Sequence, residues 1–127
     1  MAQRILVADD DPATLEGLRV LLANWGYEVE TASDGWVALQ KISAVEPQAV
    51  ITDVVMPMMN GLELLGALRK VRPGMPVIVL TGQWGLDTLL RATQQGAYAY
   101  LPKPVDVGRL KSVLASALAK PEGATAP

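Results

Sequence analysis

The sequence predicts an α/β fold, a doubly wound (βα)5 parallel sheet. Three observations carry this. Five short apolar runs alternate with five longer stretches whose apolar residues recur every three or four positions. Such alternation builds a parallel sheet with helices on both faces. Ile5-Leu6-Val7-Ala8, Ala49-Val50-Ile51 and Val77-Ile78-Val79-Leu80 are apolar throughout, as strands covered on both sides are. All but the second run lead into a polar or charged residue at the strand's carboxyl end, the edge where open α/β sheets bind ligands.

Taken in order, Ile5 to Ala8 is the first strand and ends at Asp9-Asp10-Asp11. Asp11 before Pro12 reads as an N-cap with proline at the first helical position. Leu15, Leu18, Leu22 and Trp25 form that helix's apolar stripe, and Asn24 and Gly26 close it. Tyr27 to Ala32 is the second strand, and Ser33-Asp34-Gly35 is a turn. Val37, Ala38, Leu39, Ile42 and Val45 make the second helix, ended by Pro47. Ala49 to Thr52 is the third strand, with Asp53 at its end, and Met56 to Gly61 is an irregular loop. Leu62, Leu65, Leu68 and Val71 make the third helix, which Pro73-Gly74 ends. Val77 to Leu80 is the fourth strand, stopped by Thr81-Gly82. Asp87 to Gln95 is helical, with Gly96 just past its end. Tyr98 to Leu101 is the fifth strand, broken by Pro102-Lys103-Pro104. Asp106 caps a last helix carrying Leu110, Val113, Leu114 and Leu118. Residues 1–119 therefore read as one domain. Residues 120–127 hold no core former and read as a flexible tail or the start of an interdomain linker.

Composition narrows the chemistry. The 127 residues include no histidine and no cysteine. That excludes a Ser-His-Asp triad, thiol nucleophiles, disulfides and Cys or His metal sites. A net charge of -2 is not the basic footprint that nucleic-acid binding wants. The basic clusters Arg69-Lys70-Val71-Arg72 and Arg109 with Lys111 read as solvated helix ends. The N-terminus has no long apolar segment, so no signal peptide is expected, and no run can span a bilayer. A cytoplasmic protein without membrane contact is the expectation.

Asp9, Asp10, Asp53, Thr81 and Lys103 all follow or end strands, so the fold should gather them in one crevice. Separately each has a plain explanation: a loop acid, a turn residue, a strand-end hydroxyl or a surface lysine. Together they require five coincidences on one edge. Three carboxylates and one ammonium suit a hard divalent cation held by oxygen alone, Mg²⁺ with Mn²⁺ as a substitute. A carboxylate there can act as nucleophile toward a phosphoryl donor without needing a base.

Ile5-Leu6-Val7-Ala8-Asp9-Asp10-Asp11-Pro12, Ile51-Thr52-Asp53-Val54-Val55-Met56-Pro57-Met58-Met59-Asn60-Gly61, Val79-Leu80-Thr81-Gly82 and Tyr100-Leu101-Pro102-Lys103-Pro104 together resemble the receiver domain of two-component response regulators, over residues 4–119. The resemblance implies the flavodoxin-like strand order 2-1-3-4-5. It implies Asp53 as phosphoacceptor, Asp10 as direct Mg²⁺ ligand, Asp9 as a ligand acting chiefly through water, and the Val55 backbone carbonyl as a third protein ligand. Lys103, with a cis bond to Pro104, would contact the phosphoryl oxygens. Thr81 would turn toward them, and Tyr100 would swing inward with it. The implied donor is a phosphohistidine on a sensor histidine kinase or phosphotransfer protein. The implied output is a changed surface over the fourth helix, fifth strand and fifth helix, meeting an output domain, a partner or a second copy. The implied role is regulatory rather than enzymatic, with phosphorylation chemistry confined to the domain itself and no nucleic-acid contact of its own.

Some positions depart from the usual pattern. Tyr98 and Ala99 stand where two acids often precede the switch aromatic, which would leave that face more apolar. Val55 and Gln83 occupy the positions that tune hydrolysis, and an aliphatic Val55 predicts a long-lived phosphoryl group. Trp84 lies on the loop after Thr81 and is either a chance exposed or packed indole or a partner contact. Two other readings remain open. A haloacid-dehalogenase-type phosphatase would want an acid where Val55 stands, and a receiver-like module that is never phosphorylated would lack one of the site residues. A nucleotide-binding P-loop fails, because Ala67-Leu68 follow Gly61 and Gly66 where Lys-Ser/Thr is needed.

Overall fold

The computed structural model describes residues 2–82 and 85–119. The expectations for Gln83, Trp84 and residues 120–127 lie outside the described residues. The elements run β1 (Arg4–Ala8), α1 (Pro12–Asn24), β2 (Glu28–Ala32), α2 (Gly35–Val45), β3 (Ala49–Thr52), α3 (Gly61–Val71), β4 (Val77–Thr81), α4 (Leu86–Gln94), β5 (Ala99–Pro102) and α5 (Val107–Leu118). The strands form one parallel sheet in the order β2-β1-β3-β4-β5. This is the flavodoxin-like arrangement expected above.

The two-residue alternation of a strand divides the sheet's side chains between two half-cores. Ile5, Val7, Ala49, Ile51, Ile78, Leu80 and Leu101 pack with Leu18 and Leu22 of α1 and with Leu110 and Leu114 of α5. Leu6, Ala8, Val50, Val77 and Val79 face the other way, toward Ala38 and Ile42 of α2, the leucines of α3 and Ala92 of α4. The helix ends follow local chemistry. Asp11, Asp34 and Asp106 cap α1, α2 and α5 with side-chain acceptors. Gly96 takes φ +86 just beyond α4, a conformation glycine adopts without a Cβ penalty.

Three expectations need correction. The fifth strand starts at Ala99 and includes Pro102, which pairs in register with Thr81. Proline lacks a donor, but β5 is an edge strand with no neighbour on its outer side, so the missing N–H is tolerated. The helix after the Met56–Asn60 loop already starts at Gly61, because Asn60 and Glu63 form a reciprocal capping box. Arg69 is not a solvated helix end: it is half-buried and bonds the carbonyls of Pro73 and Met75.

Gly17 lies inside α1 with nothing within 4 Å of where a Cβ would stand. Gly17→Ala is expected to stabilise the protein by about 0.5–1 kcal/mol through helix propensity alone. Urea unfolding with an unchanged slope would show this as a higher midpoint.

Candidate functional site

The ladder of the sheet continues one residue past three strands. The backbone N–H of Asp9 donates to Ala32 at 3.1 Å, that of Asp53 to Ala8 at 3.0 Å and that of Lys103 to Thr81 at 2.9 Å. These residues are therefore fixed by neighbouring strands, not left on free loops. That places two acids and a lysine at one sheet edge with strand-like accuracy. The Lys103–Pro104 bond is cis, as expected.

Their side chains meet there. Lys103 Nζ donates to Asp9 Oδ2 at 2.6 Å and to Asp53 Oδ2 at 2.9 Å. Asp9 Oδ1 accepts from the Asp11 N–H at 2.9 Å, and Asp53 Oδ1 from the Val54 N–H at 2.7 Å. Asp9 is only 2% exposed, while Asp10 is exposed and Asp53 lies between. One carboxylate oxygen from each of the three lies within 4.8 Å of the others. Burial disfavours the Lys103 ammonium, but the hydrogen bonds and attraction of Asp9 and Asp53 outweigh it and raise its pKa above the ordinary lysine value. One ammonium leaves the three carboxylates with two uncompensated negative charges. An all-oxygen, net-negative donor set fits a hard divalent cation.

The other expected residues that are described lie on or beside β4 and β5 and on the loop after Asp53. Thr81 is fully buried at the end of β4, in register with Pro102. Tyr100 is half-buried on β5 against the core that holds α3 and α4, and burial raises its phenol pKa. Val55 is exposed on the loop after Asp53. Tyr98 is half-buried, with its hydroxyl 2.8 Å from Ser116 Oγ of α5. Gln83 lies outside the described residues.

Three supporting residues escaped the sequence reading. Thr52 is fully buried and its hydroxyl donates to the Asp53 carbonyl at 2.9 Å. A hydroxyl closing an otherwise apolar run was the available signal. Gly61 lets α3 start directly against Asp53: its N–H donates to Val54 O at 2.9 Å, and a Cβ there would fall 1.9 Å from Asp53 O. Gly35 does the same for α2, donating to Met59 O at 2.9 Å where a Cβ would stand 2.5 Å from that oxygen. Both helices thus start on the loop that follows Asp53.

A family model described as response regulator receiver domain matches residues 5–115. The DNA-binding transcriptional regulator NtrC of Bradyrhizobium sp. (strain RP501 Parasponia) is 43% identical over 121 residues, covering 95% of this chain and 25% of that protein. The response regulator MprA of Mycobacterium bovis (strain BCG / Pasteur 1173P2) is 40% identical over 126 residues, covering 98% of this chain and 55% of that protein. A CheY-like response regulator receiver domain from Methanospirillum hungatei JF-1 superposes with a TM-score of 0.90 at 36% identity, over 94% of this chain and 95% of that one. The chain spans about a quarter of the NtrC relative's length. Among the described residues, no helix is long and apolar enough to cross a membrane.

Proposed function

Because the chain belongs to the response regulator receiver domain family, we propose that it is a phosphoacceptor switch of a two-component system with Asp53 as the acceptor. The observation that carries this is the meeting of Asp9, Asp10 and Asp53 within 4.8 Å, with Lys103 bridging Asp9 and Asp53. An Asp53 carboxylate oxygen attacks phosphorus in line with the leaving group. A bond from phosphorus to the Asp53 oxygen forms as the bond from phosphorus to the donor histidine nitrogen breaks. The leaving nitrogen keeps that electron pair and takes a proton from solvent. A carboxylate nucleophile has no proton to lose, so the site needs no base of its own. The donor is a phosphohistidine of a sensor kinase or phosphotransfer protein.

Asp9, Asp10, Asp53 and the Val55 carbonyl are the residues that would hold Mg²⁺, with Mn²⁺ as a substitute. When bound, the ion supplies charge neutralisation to the incoming phosphoryl oxygens. Lys103 adds its ammonium to those oxygens. Thr81 turns its hydroxyl toward them, and Tyr100 follows into the space it leaves. The outcome is a changed α4-β5-α5 surface for an output domain, a partner or a second copy.

The test is the mass of the intact protein after incubation with Mg²⁺ and acetyl phosphate. One acid-stable, base-labile phosphoryl group per chain is expected, and Asp53→Asn should abolish it. Release of phosphate without an adduct would favour a phosphatase, and no reaction would favour a module that is never phosphorylated.

Val55 bears on how long the adduct lasts. An exposed aliphatic side chain offers no hydrogen bond to orient an attacking water. Val55→Asn is therefore expected to speed loss of the adduct severalfold, read from its decay after donor removal. Decay in wild type as fast as in Val55→Asn would refute that role.

A further inference from the structure

Outside the acidic cluster, the contact between α3 and α4 holds two buried groups that no neighbour among the described residues satisfies. Arg69, on the last turn of α3, places its terminal nitrogens on the carbonyls of Pro73 and Met75. Its Nε is buried without a partner among the described residues. Gln95, the C-cap residue of α4, has its side-chain Oε1 buried and equally unpartnered. One is a donor and the other an acceptor, and native interiors seldom leave either unpaired. Both belong to one contact. A Cβ on Gly66 would stand 3.2 Å from Gln95 Oε1, and a Cβ on Gly96 would stand 3.4 Å from Arg69 Cδ. Residues 66 and 69 are three apart on α3 and so share a face.

The Gln95 amide thus fills the space that a side chain at position 66 would take. That accounts for a glycine in the middle of α3, where it costs helix propensity. Meanwhile α4 is lightly held. Its N-cap, Gly85, makes no side-chain cap bond, and Ala92 is its one buried residue.

We propose that Gly66, Arg69 and Gln95 form a two-position latch between α3 and α4. In the position described here Gln95 Oε1 rests on Gly66. In the other it accepts a hydrogen bond from Arg69 Nε–H as α4 shifts. Arg69 is the fixed half, because its terminal nitrogens are anchored on the α3–β4 connection. Gln95 is the moving half, at a helix end followed by Gly96 at φ +86. The closed latch favours the shifted arrangement of α4 and so sets the balance between the two. It rests on the phosphoacceptor reading only for its trigger, a change at Thr81 passed into the start of α4.

Hydrogen exchange of the Arg69 Nε–H, followed in ¹⁵N-labelled protein, tests the latch directly. Without any phosphodonor, Gly66→Ala adds a methyl that pushes the Gln95 amide off its seat. Exchange is expected to slow about tenfold, as a newly made hydrogen bond would slow it. Adding Gln95→Met to Gly66→Ala should restore the wild-type rate. Unchanged exchange in Gly66→Ala, or equal slowing in the double variant, overturns the latch. In a second arm, wild type receives Mg²⁺ and acetyl phosphate. Slowing that tracks the adduct supports the latch as part of the switch, and an adduct without slowing overturns that coupling. A positive first arm with no adduct supports the latch and defeats the phosphoacceptor reading instead.

Discussion

Gly61→Ala is expected to lower stability by about 2–4 kcal/mol, at or above the upper part of the usual cost of an added methyl in a packed site. A Cβ at this position would lie 1.9 Å from Asp53 O, 2.8 Å from Asp53 C and 3.0 Å from the Val54 Cα. All three are backbone atoms of the segment that leaves β3, and none can rotate away as a side chain would. Relief requires moving either α3, whose Leu62, Leu64, Leu65 and Leu68 are buried, or the Asp53 peptide, whose N–H is held by Ala8. The Gly61 N–H bond to Val54 O would stretch with either movement. Urea unfolding gives the loss, and the thermal midpoint should fall by roughly 10 °C for a domain of this size. The same displacement moves Asp53 against Lys103, so adduct formation should slow even where the variant is folded. A loss below about 1 kcal/mol would mean that the loop yields freely. Gly17→Ala makes the matching control, because it adds the same methyl where nothing stands within 4 Å.

That contrast also marks what could be read from sequence. The strands β1, β3 and β4 were legible because continuous apolar runs have few other uses in a chain of this length. The cap at Asp11 was legible because aspartate before proline is a local signal. The convergence of Asp9, Asp53 and Lys103 followed from topology, since parallel strands bring their carboxyl ends to one edge. Gly61 and Thr52 were not legible as support for Asp53. Their reasons lie in contacts with the Asp53 carbonyl that only the folded backbone creates. Asn60 and Glu63 did carry a readable capping-box signal, hidden behind the proline and methionines of the preceding loop. Arg69 looked like any charged residue near a helix end. Its burial depends on how the α3–β4 connection folds back over it, through Pro73 and Met75.

Lys103→Met is expected to cost about 2–3 kcal/mol in the absence of divalent cations. Removing one partner of a buried ion pair leaves the other charge uncompensated. Here two carboxylates lose their partner at once. The Asp9 side chain is 3% exposed and that of Asp53 12%, so neither recovers full hydration. Lys103 itself is 23% exposed, and some screening holds the figure below the full cost of a deeply buried pair. Methionine keeps the length and apolar stem of lysine, so the loss reports charge rather than a cavity. With Asp10 included, the site then carries three negative charges within 4.8 Å and no cation of its own. Such a site should gain more from Mg²⁺ than wild type does. Binding to the native state alone stabilises by about 2.7 kcal/mol at a hundredfold excess over Kd, and a tighter Kd enlarges that increment. Unfolding curves of both proteins with and without Mg²⁺ therefore decide the point. A larger Mg²⁺ increment is expected in Lys103→Met than in wild type, and a smaller one once Asp10→Asn is added. Equal stability of Lys103→Met and wild type without the ion would mean that Lys103 does not balance these carboxylates. A loss that Mg²⁺ fails to reduce would argue against the acidic cluster as its binding site. The adduct should also form far more slowly in Lys103→Met with Mg²⁺ present, because the ammonium proposed to meet the phosphoryl oxygens is gone while the proposed nucleophile remains.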